Sequence, residues 1–191
     1  MGTVFDGIDE KLRRWIEHQP MFVVATAPLA ADGLMNCSPK GSRGTFRVLD
    51  ERRFGYLDLT GSGVETLAHL RENGRIVVMF CAFEGRPRIV RLHGRGYAVL
   101  PGDSRFDDLL PRFSEHPGVR SIVVVDVTRV ADSCGFGVPR LDYVADRDVL
   151  NLSRAKKGEP AMAAYRDKHN AHSLDGLPGL TDWPTAVSPS G

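Results

Sequence analysis

From residue 21 to about residue 133 the chain sets down one apolar, β-rich run after another, with a single helix pattern embedded among them. The runs are "MFVVATAPL", "LMNCS", "TFRVLD", "RFGYLDL", "RIVVMFCAF", "RIVRLHGRGYAVL" and "VRSIVVVDVTRVAD". Between them "VETLAHLREN" places Val64, Leu67, Ala68 and Leu70 along one helical face, and Asn73-Gly74 closes it. The other connections are of hairpin length, "ADG" among them. A doubly wound sheet requires strand and helix to alternate, and that alternation is missing. The pattern predicts a mainly β (α+β) fold, an antiparallel barrel with peripheral helices. "RIVVMFCAF" reads as a strand covered on both faces, whereas "RIVRLHGRGYAVL" alternates charged and apolar residues and leaves one face wet.

Helices flank this core. Ile8, Leu12, Trp15 and Ile16 share one face of an N-terminal helix, "PGDSRFDDLLPRF" reads as helical, and "PAMAAYRDKHN" predicts one more helix in a polar tail that ends Pro/Gly-rich. The chain has 191 residues, 42% of them hydrophobic, which supports one domain with a sizeable core. A formal net charge of +1 gives no electrostatic case for nucleic acid or an anionic membrane, and no apolar run is long enough to cross a bilayer. Cys37, Cys81 and Cys134 are odd in number and widely spaced, which suggests reduced thiols and a cytoplasmic location.

Two stretches can take an anion. In "MNCSPKGSRGTF", Ser38, Lys40, Ser42 and Arg43 sit in what reads as a Pro/Gly-rich turn, either a solvated turn or a seat for an anion. In "TGSGVET", a glycine-rich turn opens a helix, with hydroxyls at Thr60, Ser62 and Thr66 near the positive end of the helix dipole. The plain alternative is a capping box, Ser62 with Glu65. A dinucleotide fingerprint is not complete here, since Thr66 stands where the third glycine belongs and no second βαβ unit follows. His169 and His172 lack a third zinc ligand nearby in sequence, and no serine sits in a nucleophile elbow. Cys134, in "DSCGFGVP", is either an inert buried thiol or a thiol on a tight turn close to a ligand.

Taken together, "MFVVATAPLAADGLMNCSPKG", "RRFGYLDLTGSGVETLAHLRENGRIVVMF" and "RIVRLHGRG" resemble the pyridoxamine 5′-phosphate oxidase-like family of flavin-binding split barrels. The likeness is close over about residues 20–100 and looser to about residue 140. "DSCGFGVP" resembles a turn of an uncharacterised branch of that family. The resemblance implies FMN held at the interface of a homodimer. It makes Lys40, with Ser38 beside it, the first phosphate clamp, and places Thr60, Ser62, Glu65 and Thr66 in the second. Arg91, in the "RIVR" strand, and Cys134 join them as candidate cofactor-binding residues.

Three departures bear on substrate. "SGVET" replaces the family's Ser-Arg-Lys run, Ile89 replaces a flavin-side glutamine, and a C-terminal Arg-Leu-x-Pro is missing. These argue against vitamin B6 oxidation and leave flavin binding intact. The expected organisation is a split barrel with its N-terminal helix over residues 1–145, and a helical or irregular extension over 146–191. The expected function is FMN-dependent hydride transfer to or from a small organic molecule. The alternatives are an F420-dependent reductase, or a non-enzymatic flavin or haem binder. The long runs "RIVVMFCAF" and "SIVVVDV" exceed what a lone small barrel covers, which also predicts a two-fold dimer.

Overall fold

The computed structural model describes residues 2–183. In chain order its elements are β1 (Val4–Phe5), α1 (Glu10–His18), β2 (Met21–Thr26), β3 (Asn36–Gly41), β4 (Phe46–Asp50) and β5 (Arg53–Leu59). There follow α2 (Glu65–Asn73), β6 (Arg75–Cys81), β7 (Ile89–Val99), α3 (Ser104–Leu109), β8 (Val119–Ser133) and α4 (Val149–His169). The strands form one sheet in the order β3-β2-β6-β7-β8-β5-β4, with β1 added on β8, and every pairing is antiparallel. The sheet curls into the half-open barrel of the split-barrel fold.

The curl follows from what the strands carry inward. Alternate residues of β2, β4, β5 and β6 bring Phe22, Phe46, Phe54, Tyr56 and Phe80 to one face, each essentially inaccessible to solvent. Phe22 of β2 and Phe46 of β4 lie near opposite ends of the strand order, yet their ring centroids are 5.0 Å apart, edge to face. Five aromatic side chains therefore fill the barrel, and any ligand must bind outside it.

The peripheral helices are set by local chemistry. Asp9 caps α1 by accepting the Leu12 amide at 2.7 Å, and the helix buries Leu12 and Ile16, with Ile8 beside them. Gly74 ends α2 at φ 69°, a left-handed conformation that glycine adopts without a Cβ penalty, and its N–H returns to His69 and Leu70.

Several expectations change. Ser38 and Lys40 lie on a strand, β3, rather than in a turn. β3 is an edge strand paired only with β2, so Pro39 can stand in it without breaking a ladder on both sides. The β2–β3 connection spans residues 27–35 and is not a tight Asp-Gly hairpin. Burial along β6 alternates, so only one of its faces is fully covered. On β8, Ile122 and Val124 are buried in a second cluster with Phe106 and Phe113. β8 thus finds cover on this face within its own chain, while alternate residues of β6 stay part-exposed. Large apolar side chains left exposed include Leu29, Leu34 and Met35 in the β2–β3 connection and Phe136, Leu141, Val144, Val149, Leu150 and Leu152 after β8. The tail helix begins earlier than expected, at Val149, and is broken where Gly158 takes φ 70° just before Pro160.

Phe22 touches four other rings of the cluster. Phe22→Ala should lower unfolding free energy by about 3–5 kcal/mol, the range for a large core aromatic. Urea denaturation measures it, and a loss under about 1 kcal/mol would show that the rings do not form a packed core.

Candidate anion-binding site

Asp58 is an acid inside the apolar run "YLDL", and it has no access to solvent. A buried carboxylate requires partners, and Arg120 at the start of β8 is the main one. The Arg120 Nε donates to Asp58 Oδ2 at 2.7 Å and Nη2 to Oδ1 at 3.1 Å. Ser121 Oγ donates at 3.2 Å, and the Lys40 ammonium stands 3.6 Å from Oδ1. Burial alone would raise the Asp58 carboxyl, but the Arg120 guanidinium and then Lys40 outweigh it and hold the group below its usual value.

In front of this pair lies a cavity of about 270 Å³, lined by Ser38, Lys40, Ser62, Glu65, Thr66 and Arg120 together with the backbone of residues 61–63. Arg120 Nη1 also donates to the Gly63 carbonyl at 2.9 Å. α2 opens at this cavity with Val64 at its cap and no side chain capping it, so the Ser62–Glu65 capping box does not form.

A hydrogen-bond chain orients two of the hydroxyls. Ser38 Oγ donates to Asn36 Oδ1 at 2.6 Å, and Asn36 Nδ2 donates to Thr66 Oγ1 at 3.0 Å and Thr26 Oγ1 at 3.1 Å. Thr66 therefore accepts from behind and keeps its own proton for the cavity. Thr26 Oγ1 also pairs with His69 Nδ1, 2.9 Å away. Burial holds the His69 pKa below its usual value, so this ring is neutral at pH 7.

Five of the eight candidate residues thus converge: Ser38, Lys40, Ser62, Glu65 and Thr66. Thr60 lies just behind them, fully buried, its hydroxyl accepting from Arg166 Nη1 at 3.3 Å. Arg91 and Cys134 are not brought there. Arg91 donates to Ser133 Oγ at 3.0 Å. Cys134 is exposed and lines a separate groove of about 1630 Å³ between α1, the β6–β7 connection and residues 134–147. In that groove Arg88 pairs with Asp132 at 2.9 Å and lies over the rings of Phe5 and Trp15. Asn36 and Arg120 were not singled out from the sequence. The signal for Arg120 was Asp58 itself, since an acid within an apolar strand implies a cation facing it.

Among the described residues no three His, Cys, Asp or Glu side chains are grouped to hold a metal, and no helix is long and apolar enough to cross a membrane. Comparison with known proteins agrees with the fold. A sequence model of pyridoxamine 5′-phosphate oxidase matches residues 8–134. A pyridoxamine 5′-phosphate oxidase family protein, ustO, from Aspergillus flavus is 38% identical over 196 residues, covering 94% of this chain and 78% of the relative. The crystal structure of a HupZ variant from Group A Streptococcus superposes with a TM-score of 0.50 at 24% identity, covering 66% of this chain and 99% of that one. The chain belongs to the pyridoxamine 5′-phosphate oxidase family.

The depressed pKa of Asp58 fixes a sign for acid stability. Its contribution is present above the unfolded carboxylate pKa and is lost as pH falls through the lower folded value. Asp58→Asn should therefore destabilise the protein at pH 7 by about 3–5 kcal/mol, the cost of breaking a buried pair. The gap between wild type and variant should narrow as pH drops below about 4. Chemical denaturation across pH measures this, and a gap independent of pH would contradict the assignment.

Proposed function

We propose that the protein binds FMN by seating its 5′-phosphate in the cavity between β3 and the start of α2, and acts as a flavin-dependent oxidoreductase on a small organic molecule. The observation that carries this reading is the convergence of the Lys40 ammonium, the Arg120 guanidinium and a proton-bearing Thr66 hydroxyl on an uncapped helix N-terminus. Membership of the family supports it.

The fit is to the phosphate end alone. A cavity of about 270 Å³ falls below the range of about 300–1,000 Å³ typical of pockets that enclose a drug-sized ligand. The ring system then lies beyond it, on surface completed by a second copy of the chain. Exposed apolar side chains, Phe136, Leu141, Val144, Val149, Leu150 and Leu152 among them, are available for such an association. When bound, the isoalloxazine supplies the redox chemistry by taking up and giving back a hydride. The chain's own residues bind and orient. Lys40 and Arg120 fix the phosphate, while Asp58 holds both cations in place. No acid–base constellation is required of them.

Lys40→Ala should weaken FMN binding by about ten- to a hundredfold, the loss of one charge-assisted hydrogen bond. Riboflavin, which lacks the phosphate, should bind the variant and wild type alike. Calorimetry with both ligands decides it, and an equal loss for both would place Lys40 against the ring instead. Light scattering with FMN present should give the mass of a dimer; a monomer at micromolar concentration would remove the second copy from the site.

A further inference from the structure

The charges around the phosphate cavity nearly cancel. Lys40 and Arg120 are matched by Asp58 behind them and by Glu65, which lines the same cavity. An anion held here must gain much of its stabilisation from backbone amides, and these amides are aimed by residues outside the barrel.

Three carbonyls around the glycine turn, those of Thr60, Gly61 and Gly63, are tied back. Arg154 donates to the Thr60 carbonyl through Nε at 3.0 Å and also through Nη2. Asn170 Nδ2 donates to the Gly61 carbonyl at 3.0 Å. Arg120 Nη1 donates to the Gly63 carbonyl at 2.9 Å and to Asn170 Oδ1 at 2.8 Å. A trans peptide is planar, so its N–H points opposite to its C=O. Pulling these carbonyls back turns the amides of Gly61, Ser62 and Val64 the other way. Among the described residues, none of those three amides donates a hydrogen bond to another group of the chain, and Gly61 and Ser62 line the cavity. An array of unspent amides of this kind is an anion cradle.

Two of the three ties come from beyond residue 134, where the family match ends. Asn170 has no solvent exposure and Arg154 has 4%. Asn170 is gripped on both sides. Its amide donates to the Arg166 carbonyl on α4, and its carbonyl accepts from Leu180 at 2.9 Å. The strand of chain that includes Leu180 is fastened in turn to α2, where the Arg71 guanidinium donates to the carbonyls of Gly179, Thr181 and Asp182.

We infer that the C-terminal extension is a working part of the phosphate site, with Arg154 and Asn170 as positioning residues that aim the amides of Gly61 and Ser62 at the bound anion. This rests on the phosphate reading above and adds to it a role for residues outside the barrel. Without the Asn170 tie, the Gly61–Ser62 peptide is free to rotate its carbonyl toward the anion.

The test is equilibrium binding of FMN and riboflavin to full-length wild type and to Asn170→Ala, which changes no charge. Asn170→Ala should bind FMN about tenfold more weakly, the order of one hydrogen bond to a charged group, with riboflavin affinity unchanged. A folded variant that keeps the wild-type preference for FMN overturns the inference. An equal loss for both ligands also overturns it, since that is what a purely structural residue would give. Should Asn170→Ala fail to fold, Arg154→Gln removes the neighbouring tie and is read the same way. In ¹⁵N-labelled wild type, the amide signals of Gly61, Ser62 and Val64 should shift with FMN and not with riboflavin; silent amides beside a bound phosphate overturn the inference as well. Wild type that binds both ligands alike removes the phosphate reading itself, and the inference with it.

Discussion

The fully buried carboxylate of Asp58 is what the site is built around. Alone in the apolar β5 it would be untenable, and its two-pronged bond to Arg120 fastens β5 to β8 while bringing a guanidinium to the surface of the barrel. Asp58 lowers the charge that Lys40 and Arg120 present, but it also fixes where they stand. Arg120 raises no conflict by being buried, because Asp58, the Gly63 carbonyl and Asn170 Oδ1 take four of its five N–H protons and leave one, on Nη2, uncommitted among the described residues. The same pair thus closes the sheet, shapes the glycine turn and anchors the C-terminal extension.

The aromatic interior decides where chemistry can happen. With Phe22, Phe46, Phe54, Tyr56 and Phe80 filling the barrel, a ligand has only the outer surface. Among the concavities of the described residues, two differ sharply in character. The small one gathers cations, hydroxyls and free amides around a helix start. The larger groove is rimmed by aromatic side chains and by Cys134. Arg154 shows how closely the extension is joined to the first of these. Burial, and then the nearby Arg120 charge, bring its pKa down to about 10, so it still holds its proton at neutral pH and still binds the Thr60 carbonyl.

Much of this was legible in the sequence. The barrel followed from the rarity of helices between strands, and α1 and α2 from their apolar spacing and, for α2, its closing glycine. The pairing of "SPKG" with "TGSGVET" rested on the family resemblance, and the fold brings Ser38, Lys40, Ser62, Glu65 and Thr66 into one cavity. What local pattern could not convey was long-range satisfaction of buried polar groups. Arg120 looks like the polar first residue of an apolar strand, and only its contact across 62 positions with Asp58 reveals its place. Asn170 sits in a tail whose composition reads as solvated, yet it is fully buried because it completes a network begun 50 positions earlier. The second half of β3 was read as a turn because of its proline and glycine, and only its position at the sheet edge makes them compatible with a strand.

Phosphorus NMR of FMN mixed with the protein tests the central claim most directly, because it observes the group the cavity is said to hold. A free phosphate monoester takes up its second proton near pH 6. A phosphate seated against Lys40, Arg120 and the turned amides should give a separate, shifted signal that stays dianionic and does not titrate between about pH 5.5 and 8. A bound FMN whose phosphorus signal titrates as it does in free solution would show the phosphate projecting into water, and the assignment of this cavity would be wrong.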